Sequence, residues 1–332
     1  MASIVSKALD AASLLFSLTI AVSAPLFDSQ VVLPRRLYPT PLVSVHRWFA
    51  AEFDHFLVAD PPPFFRGLVW LALAFLWPVC VANLYGIVTR RRRWVAATSL
   101  MAGVYLLTYL SAMFGEMLSS GRATPKLIKF YVPFALLAVA LVLRGLRSCS
   151  QQQPDTAVSS VASSAQKKTT LDAASALFSL IIAVALPLID SQVVLPCRVY
   201  PAPLVSVRRW FAAEFDHYLV ADPPPFFRGL VWLALAFLWP VCVANLYGVI
   251  TRRRRWVATT SLMAGVYLLT YLPAMFGEML GSRRATPKLI KFYVPFALLA
   301  VALVLRGLCS CSERQPDAAV SSVASSAQKK TV

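Results

Sequence analysis

Long apolar runs alternate with short polar breaks along this chain of 332 residues. Continuous apolar stretches occupy roughly Ala11–Phe27, Phe64–Val88, Trp94–Leu118 and Phe130–Leu146. Each has the length that crosses a bilayer, about 17–25 residues. The runs are unbroken and do not alternate, so the pattern predicts membrane helices and not barrel strands. Four more runs follow near Ala173–Ile189, Phe226–Ile250, Trp256–Leu280 and Phe292–Leu308. Between the first two runs, Val45, Trp48, Phe49, Phe53, Phe56 and Leu57 recur at helical spacing. They predict an amphipathic helix lying against the mouth of the bundle. A rigid Asp-Pro-Pro-Pro (60–63, 222–225) then leads into the second span, and Pro78, Pro133, Pro240 and Pro295 are expected to kink their helices. Ala21–Ala24 also resembles a signal-peptide cleavage site. Pro25 directly after the cut, and the return of the segment at 171–189, argue for a span instead.

The second half of this pattern is the first half again. LFDSQVVLPRRLYP at 26–39 returns as LIDSQVVLPCRVYP at 188–201, an offset of 162 residues that holds without a gap from Leu9/Leu171 onwards. From Trp48 to Ala96, 46 of 49 positions are identical to Trp210–Ala258. Such a period is a whole domain and not a solenoid unit. The expected organisation is a first four-span domain at 1–149, a linker rich in Ser and Gln at 150–170, a second four-span domain at 171–309 and a flexible tail at 310–332. VSSVASSAQKKT closes both copies, at 158–169 and 320–331. A two-domain protein and a fusion of two neighbouring single-copy chains would both leave that mark. The predicted fold class is an all-α membrane protein: two tandem four-helix transmembrane bundles, eight spans in total.

Composition agrees with a membrane-embedded chain. Hydrophobic residues make up 58% and charged residues 14%, against about 45–50% and about 25% in soluble domains. The net charge of +17 would suggest nucleic acid in a soluble protein. Here the basic residues sit in short runs between apolar stretches, a pattern of membrane topology, so no nucleic-acid partner is expected. Arg90–Arg93 and Arg252–Arg255 fill the tight turns between spans two and three. By the positive-inside rule those turns, both termini and the linker face the cytosol. Lys329 and Lys330 have the placement of a di-lysine retrieval address for the endoplasmic reticulum, or of a plain solvated basic end. Cys80 and Cys242 lie mid-span as packing residues, and Cys149, Cys309 and Cys311 are juxtamembrane, where palmitoylation is possible.

Candidate chemistry is sparse. Acids near a bilayer are costly and therefore functional candidates. Asp28 and Asp190 directly follow the first span of each copy. An acid at a mouth lined by aromatics suits a ligand with one cation and a large apolar body; the alternative is a helix-end acid among headgroups. Glu52 and Asp54 repeat as Glu214 and Asp216, and Glu116 and Glu278 end the third spans. Tyr105, Thr108, Tyr109 and Tyr131, with Thr270 and Tyr293 in the second copy, can contact a ligand or bond helix to helix. The histidines His46, His55 and His217 all lie outside the spans, and no nucleophile–base pair, metal cluster or phosphate-binding glycine loop is present. No cofactor is implied.

The run D-S-Q-V-V-L-P-R-R-L-Y-P, then R-W-F-A-A-E-F, then P-P-x-F-F before span two, resembles the EXPERA group of sigma-2-receptor-like proteins, relatives of the sterol isomerase emopamil-binding protein. The resemblance covers nearly all of each copy. It implies a four-helix protein of the endoplasmic reticulum, a pocket for sterols and lipophilic amines, and a part in sterol trafficking. It implies that Asp28 and Asp190 pair with a ligand ammonium, and that Trp48, Trp210, Tyr131 and Tyr293 belong to the site. The family's second, supporting aspartate falls on His55 and His217, one residue after Asp54 and Asp216. A family glutamate in span two falls on Ala72 and Ala234. The isomerase needs intramembrane acids and a histidine, which spans two and four lack. The expected partners are a sterol or cationic amphiphile, membrane lipids, and the two copies packed on each other within a chain or as a homodimer. A transporter built from two repeats is the further alternative.

Overall fold

The computed structural model describes residues 2–89, 92–150, 162–251 and 254–312. Most of the linker, the tail with Lys329 and Lys330, the arginines at 90, 91, 252 and 253, and the side chains of Cys149, Cys309 and Cys311 lie outside the described residues. Among the described residues, ten principal helices run in two matching sets. The first is α1 (Ala2–Leu26), α2 (Thr40–Glu52), α3 (Pro63–Val88), α4 (Arg92–Ser120) and α5 (Pro125–Ser150). The second is α6 (Ala162–Leu188), α7 (Ala202–Glu214), α8 (Pro225–Ile250), α9 (Arg254–Gly281) and α10 (Pro287–Ser312). Eight of them are long and apolar enough to cross a membrane, the exceptions being α2 and α7. The chain is thus an all-α, multi-pass membrane protein. Helix α6 begins inside the segment read from sequence as linker.

The third span of each copy is the centre of the molecule. In α4 and α9, 83% and 78% of the most apolar window is buried, against 22% in α1. Helix α4 packs along α5, α9 along α10, and α4 and α9 also touch each other. The amino-terminal half of α3 lies against α9, and that of α8 against α4, so the copies meet across a pseudo-twofold interface. Close approach is possible because small residues face each other there. A Cβ on Gly67 would lie 2.0 Å from the Pro273 carbonyl oxygen, and one on Gly229 would lie 2.1 Å from the Ser111 carbonyl oxygen. Phe64 and Phe226 stack at 4.2 Å between ring centroids, almost parallel. Glu278 and Glu116 follow Gly277 and Gly115, whose backbones lie against the Pro63 and Pro225 carbonyls at the starts of α3 and α8. A carboxylate near a helix start is favoured by the helix dipole.

Of the four prolines expected to kink their helices, Pro78 and Pro240 disturb theirs through a particular device. Pro78 has no N–H for the carbonyl one turn back, and the chain widens into a π-turn over Ala72–Leu76 just ahead of it. Ala234–Leu238 does the same ahead of Pro240. The Tyr105 and Tyr267 hydroxyls donate to the Leu68 and Leu230 carbonyls beside these turns, at 2.9 and 2.8 Å.

At the opposite end of each bundle a polar cluster ties four spans together. The Asn83 amide donates to Ser13 and Ser17 Oγ at 3.0 and 2.7 Å, and its Oδ1 accepts from Thr98 at 2.8 Å. Arg144 on α5 donates to Ser13 and Ser99 and pairs with Asp10. Asn245, Ser175, Ser179, Thr260, Arg306 and Asp172 repeat the arrangement. Every polar atom buried here finds a partner within the bundle, as a hydrocarbon surrounding demands.

Candidate ligand site

The first-span motif separates into structural residues and one free acid. After α1 the chain turns through a single 3-10 turn, Asp28–Val31. Ser29 donates back to the Pro25 carbonyl at 2.6 Å, and Tyr38 donates to Ser29. Gln30 donates to the Leu26 carbonyl at 2.8 Å and reaches the Leu42 carbonyl at 3.4 Å, which fixes the start of α2 against the end of α1. Asp28 takes no part in this bracing. Its carboxylate has neither a hydrogen bond nor an ion pair among the described residues.

That carboxylate opens into a cavity of about 250 Å³ inside the first copy. The walls come from all four spans and from α2: Phe16, Ser23 and Phe27 on the first span, His46 and Phe49 on α2, Phe65 and Val69 on α3, Tyr105 and Tyr109 on α4, Phe130, Tyr131 and Phe134 on α5. The aromatic rings form a continuous chain. Phe27 meets His46 at 4.8 Å and Phe49 edge-on at 5.2 Å, Phe49 meets Phe130 at 5.5 Å, and Phe130 meets Tyr131 edge-on at 5.2 Å. An unpaired acid in such a ring of π-faces is chemically suited to a cation on an apolar body.

Two histidines frame the site from outside the spans. His55 Nε2 and the Tyr131 hydroxyl are hydrogen-bonded at 2.6 Å, as are His217 and Tyr293. Burial holds both imidazoles well below their ordinary value, at about 4, so they are neutral at physiological pH. His46 is also depressed, first by burial and then by the Arg35 charge. Its Nε2 is buried without a partner.

The structure therefore brings together Asp28, Tyr105, Tyr109 and Tyr131, but not Trp48, Asp54 or Thr108. Trp48 is 60% exposed and Trp210 61%, on the outer face of α2 and α7. The inward face of α2 is the stripe through His46, Phe49 and Phe53; Phe49 and Phe53 belong to the face read from the sequence, while Val45 and Trp48 of that face are exposed. The i, i+3 spacing of His46 to Phe49 carried that information, and an interfacial tryptophan imitated a core one. Asp54 and Asp216 are exposed and stand at φ 47° and 49°, a left-handed conformation that Asp tolerates. The sharp bend they make turns the next residue inward, so the side chain bonded to Tyr131 is His55. Thr108 and Thr270 are fully buried and donate to the carbonyls of Val104 and Val266 on their own helices, off the cavity wall. Glu116 and Glu278 stand at the interface between copies, as described above. In the second copy Asp190 stands at the head of the same 3-10 turn, with Ser191 and Gln192 bonded as their counterparts are.

Comparison with known proteins agrees with this architecture. Residues 41–145 match the family model described as EXPERA, the expanded EBP superfamily. The chain is similar to the sigma intracellular receptor 2 of Xenopus tropicalis, 28% identical over 142 residues, covering 39% of this chain and 83% of that protein. The protein of the same name from Homo sapiens is 26% identical over 136 residues, covering 36% and 77%. No solved structure matches the chain. The all-helical membrane bundle is thus similar, over residues 41–145, to the EXPERA superfamily, and over part of its length to the proteins named sigma intracellular receptor 2.

Proposed function

We propose that the chain is a non-enzymatic membrane receptor for lipophilic amines and sterols, with Asp28 and Asp190 as the cation partners. The observation that carries this reading is the Asp28 carboxylate, unpaired among the described residues, in a cavity lined by aromatic rings. The relatives named as intracellular receptors support it. Membranes of the endoplasmic reticulum, both termini in the cytosol and a part in sterol homeostasis complete the proposal. Breaking one side of a buried ion pair costs about 3–5 kcal/mol. A site at the bilayer mouth is wetter, so about 1.5–3 kcal/mol is expected, roughly 10- to 150-fold in affinity. In radioligand saturation on membranes, Asp28→Asn together with Asp190→Asn should lose amine affinity by that factor, and a neutral sterol should lose much less. Unchanged amine affinity would return both aspartates to the headgroup layer.

Isomerase chemistry is not part of the proposal, because spans two and four carry no acid and no histidine. Expression in a strain lacking the sterol isomerase should fail to restore the later sterols. Robust rescue would reverse this assignment.

A further inference from the structure

The copies are nearly identical where they form the second span, yet they differ along one wall of the site. Of the side chains lining the first-copy cavity, only Thr19, Ser23, Phe27 and His46 are changed at the positions 162 residues on, to Ile181, Ala185, Ile189 and Arg208. All four lie on the first span and the helix after it. Every change works against an ammonium ion. Two hydroxyls are lost, a ring beside the acid becomes aliphatic and can no longer offer its face to a cation, and a neutral imidazole becomes a permanent cation.

The guanidinium of Arg208 is held in place. It donates to the Gln192 carbonyl at 2.9 Å and to the Val220 carbonyl at 2.7 Å, bridging the turn that begins with Asp190 to the short helix Tyr218–Ala221. In the first copy the cation at this corner is Arg35, which is exposed. Its counterpart is Cys197, 3.8 Å from Arg208. The positive charge has thus moved from an exposed residue, where water screens it, to a half-buried one braced against the turn that begins with Asp190. Three of the changed residues, Ile181, Ala185 and Ile189, also line an apolar groove of about 390 Å³ along α6, together with Leu204.

We propose that the copies have divided their ligands: the first takes a lipophilic cation, and the second takes a neutral amphiphile with one hydroxyl, of sterol type, its aliphatic body along the α6 groove. This rests on the receptor reading above, keeps Asp28 as a cation partner, and replaces the cation role given there to Asp190. Asp190 remains as an acceptor for the hydroxyl, and Arg208 excludes a second positive charge, since like charges brought together cost affinity.

The test is saturation binding of tritiated amitriptyline, a tertiary amine on an aromatic body, and of tritiated cholesterol to the purified full chain in lipid nanodiscs. One amine site per chain is expected. Asp28→Asn should remove all high-affinity amine binding, not half of it. Arg208→His with Ile189→Phe should raise the amine stoichiometry to two per chain and weaken cholesterol binding. His46→Arg should weaken the amine on the order of tenfold or more. The double exchange uses residues that the same positions of the first copy already hold, so it tests the idea even if Asp28→Asn fails to fold. Two equal amine sites, each lost with its own aspartate, would overturn the division of ligands and leave the receptor reading standing. Amine binding indifferent to both aspartates would overturn both.

Discussion

His55 and Tyr131 show how a residue acquires its role from its neighbours. Asp54 bends the chain, His55 is driven inward, and the Tyr131 hydroxyl meets it at 2.6 Å. The imidazole titrates near 4 in the folded protein, against 6.5 for an ordinary histidine, and His217 behaves alike. Between those values the unfolded chain binds protons that the folded chain refuses, so stability is full above about pH 6.5 and falls as the pH drops towards 4. Thermal unfolding of the purified protein should show a midpoint that declines over this window. His55→Gln with His217→Gln should flatten the decline, and an unaltered slope would remove these histidines as its cause. The acid of the site was legible in the sequence because Asp28 abuts an apolar run. The histidine was not, because only the left-handed conformation at Asp54 decides which of two adjacent polar side chains points inward. Likewise, Trp48 reads as a site residue by type, while its helix face places it outside.

Among the helices, what the sequence made plain was what a bilayer imposes. Run length, continuity and repeat offset are properties of a single strand of text, and the eight spans follow from them. In the proposed orientation, with the short arginine turns in the cytosol and an even number of spans per copy, both ends of the chain lie on the cytosolic side. Terminal tags should accordingly be open to protease in intact microsomes, and a protected carboxyl-terminal tag would contradict that orientation. The π-turns ahead of Pro78 and Pro240 were half legible: proline announces a defect in the ladder but not the kind. The Asn83–Arg144 cluster was missed. Its members are scattered over Ser13, Ser17, Asn83, Thr98, Ser99 and Arg144, and each is unremarkable until packing gathers them. Burial then makes each depend on the others, since an unbonded polar atom has no water to turn to.

For the whole molecule, the repeat in the sequence announces two copies but not their meeting face. Gly67, Gly115, Gly229 and Gly277 look like ordinary small residues of membrane helices until opposite backbones come within contact distance. Phe64→Cys with Phe226→Cys should be bridged by a short bis-thiol cross-linker, because the two side chains meet across the interface. If a protease site is placed in the linker, the cross-link should hold the severed halves together on a non-reducing gel. Halves that separate would deny the packing of α3 and α8 across the interface.

The glycine-lined face of each copy is completed by the other, and the two are joined in one chain. A free partner in a membrane is met only as often as its surface density allows. A tethered one stands at a fixed, high effective concentration. The pairing of these two sites is therefore insulated from abundance: neither scarce expression nor an expanding area of lipid can dilute it, and their ratio is one to one in every molecule made.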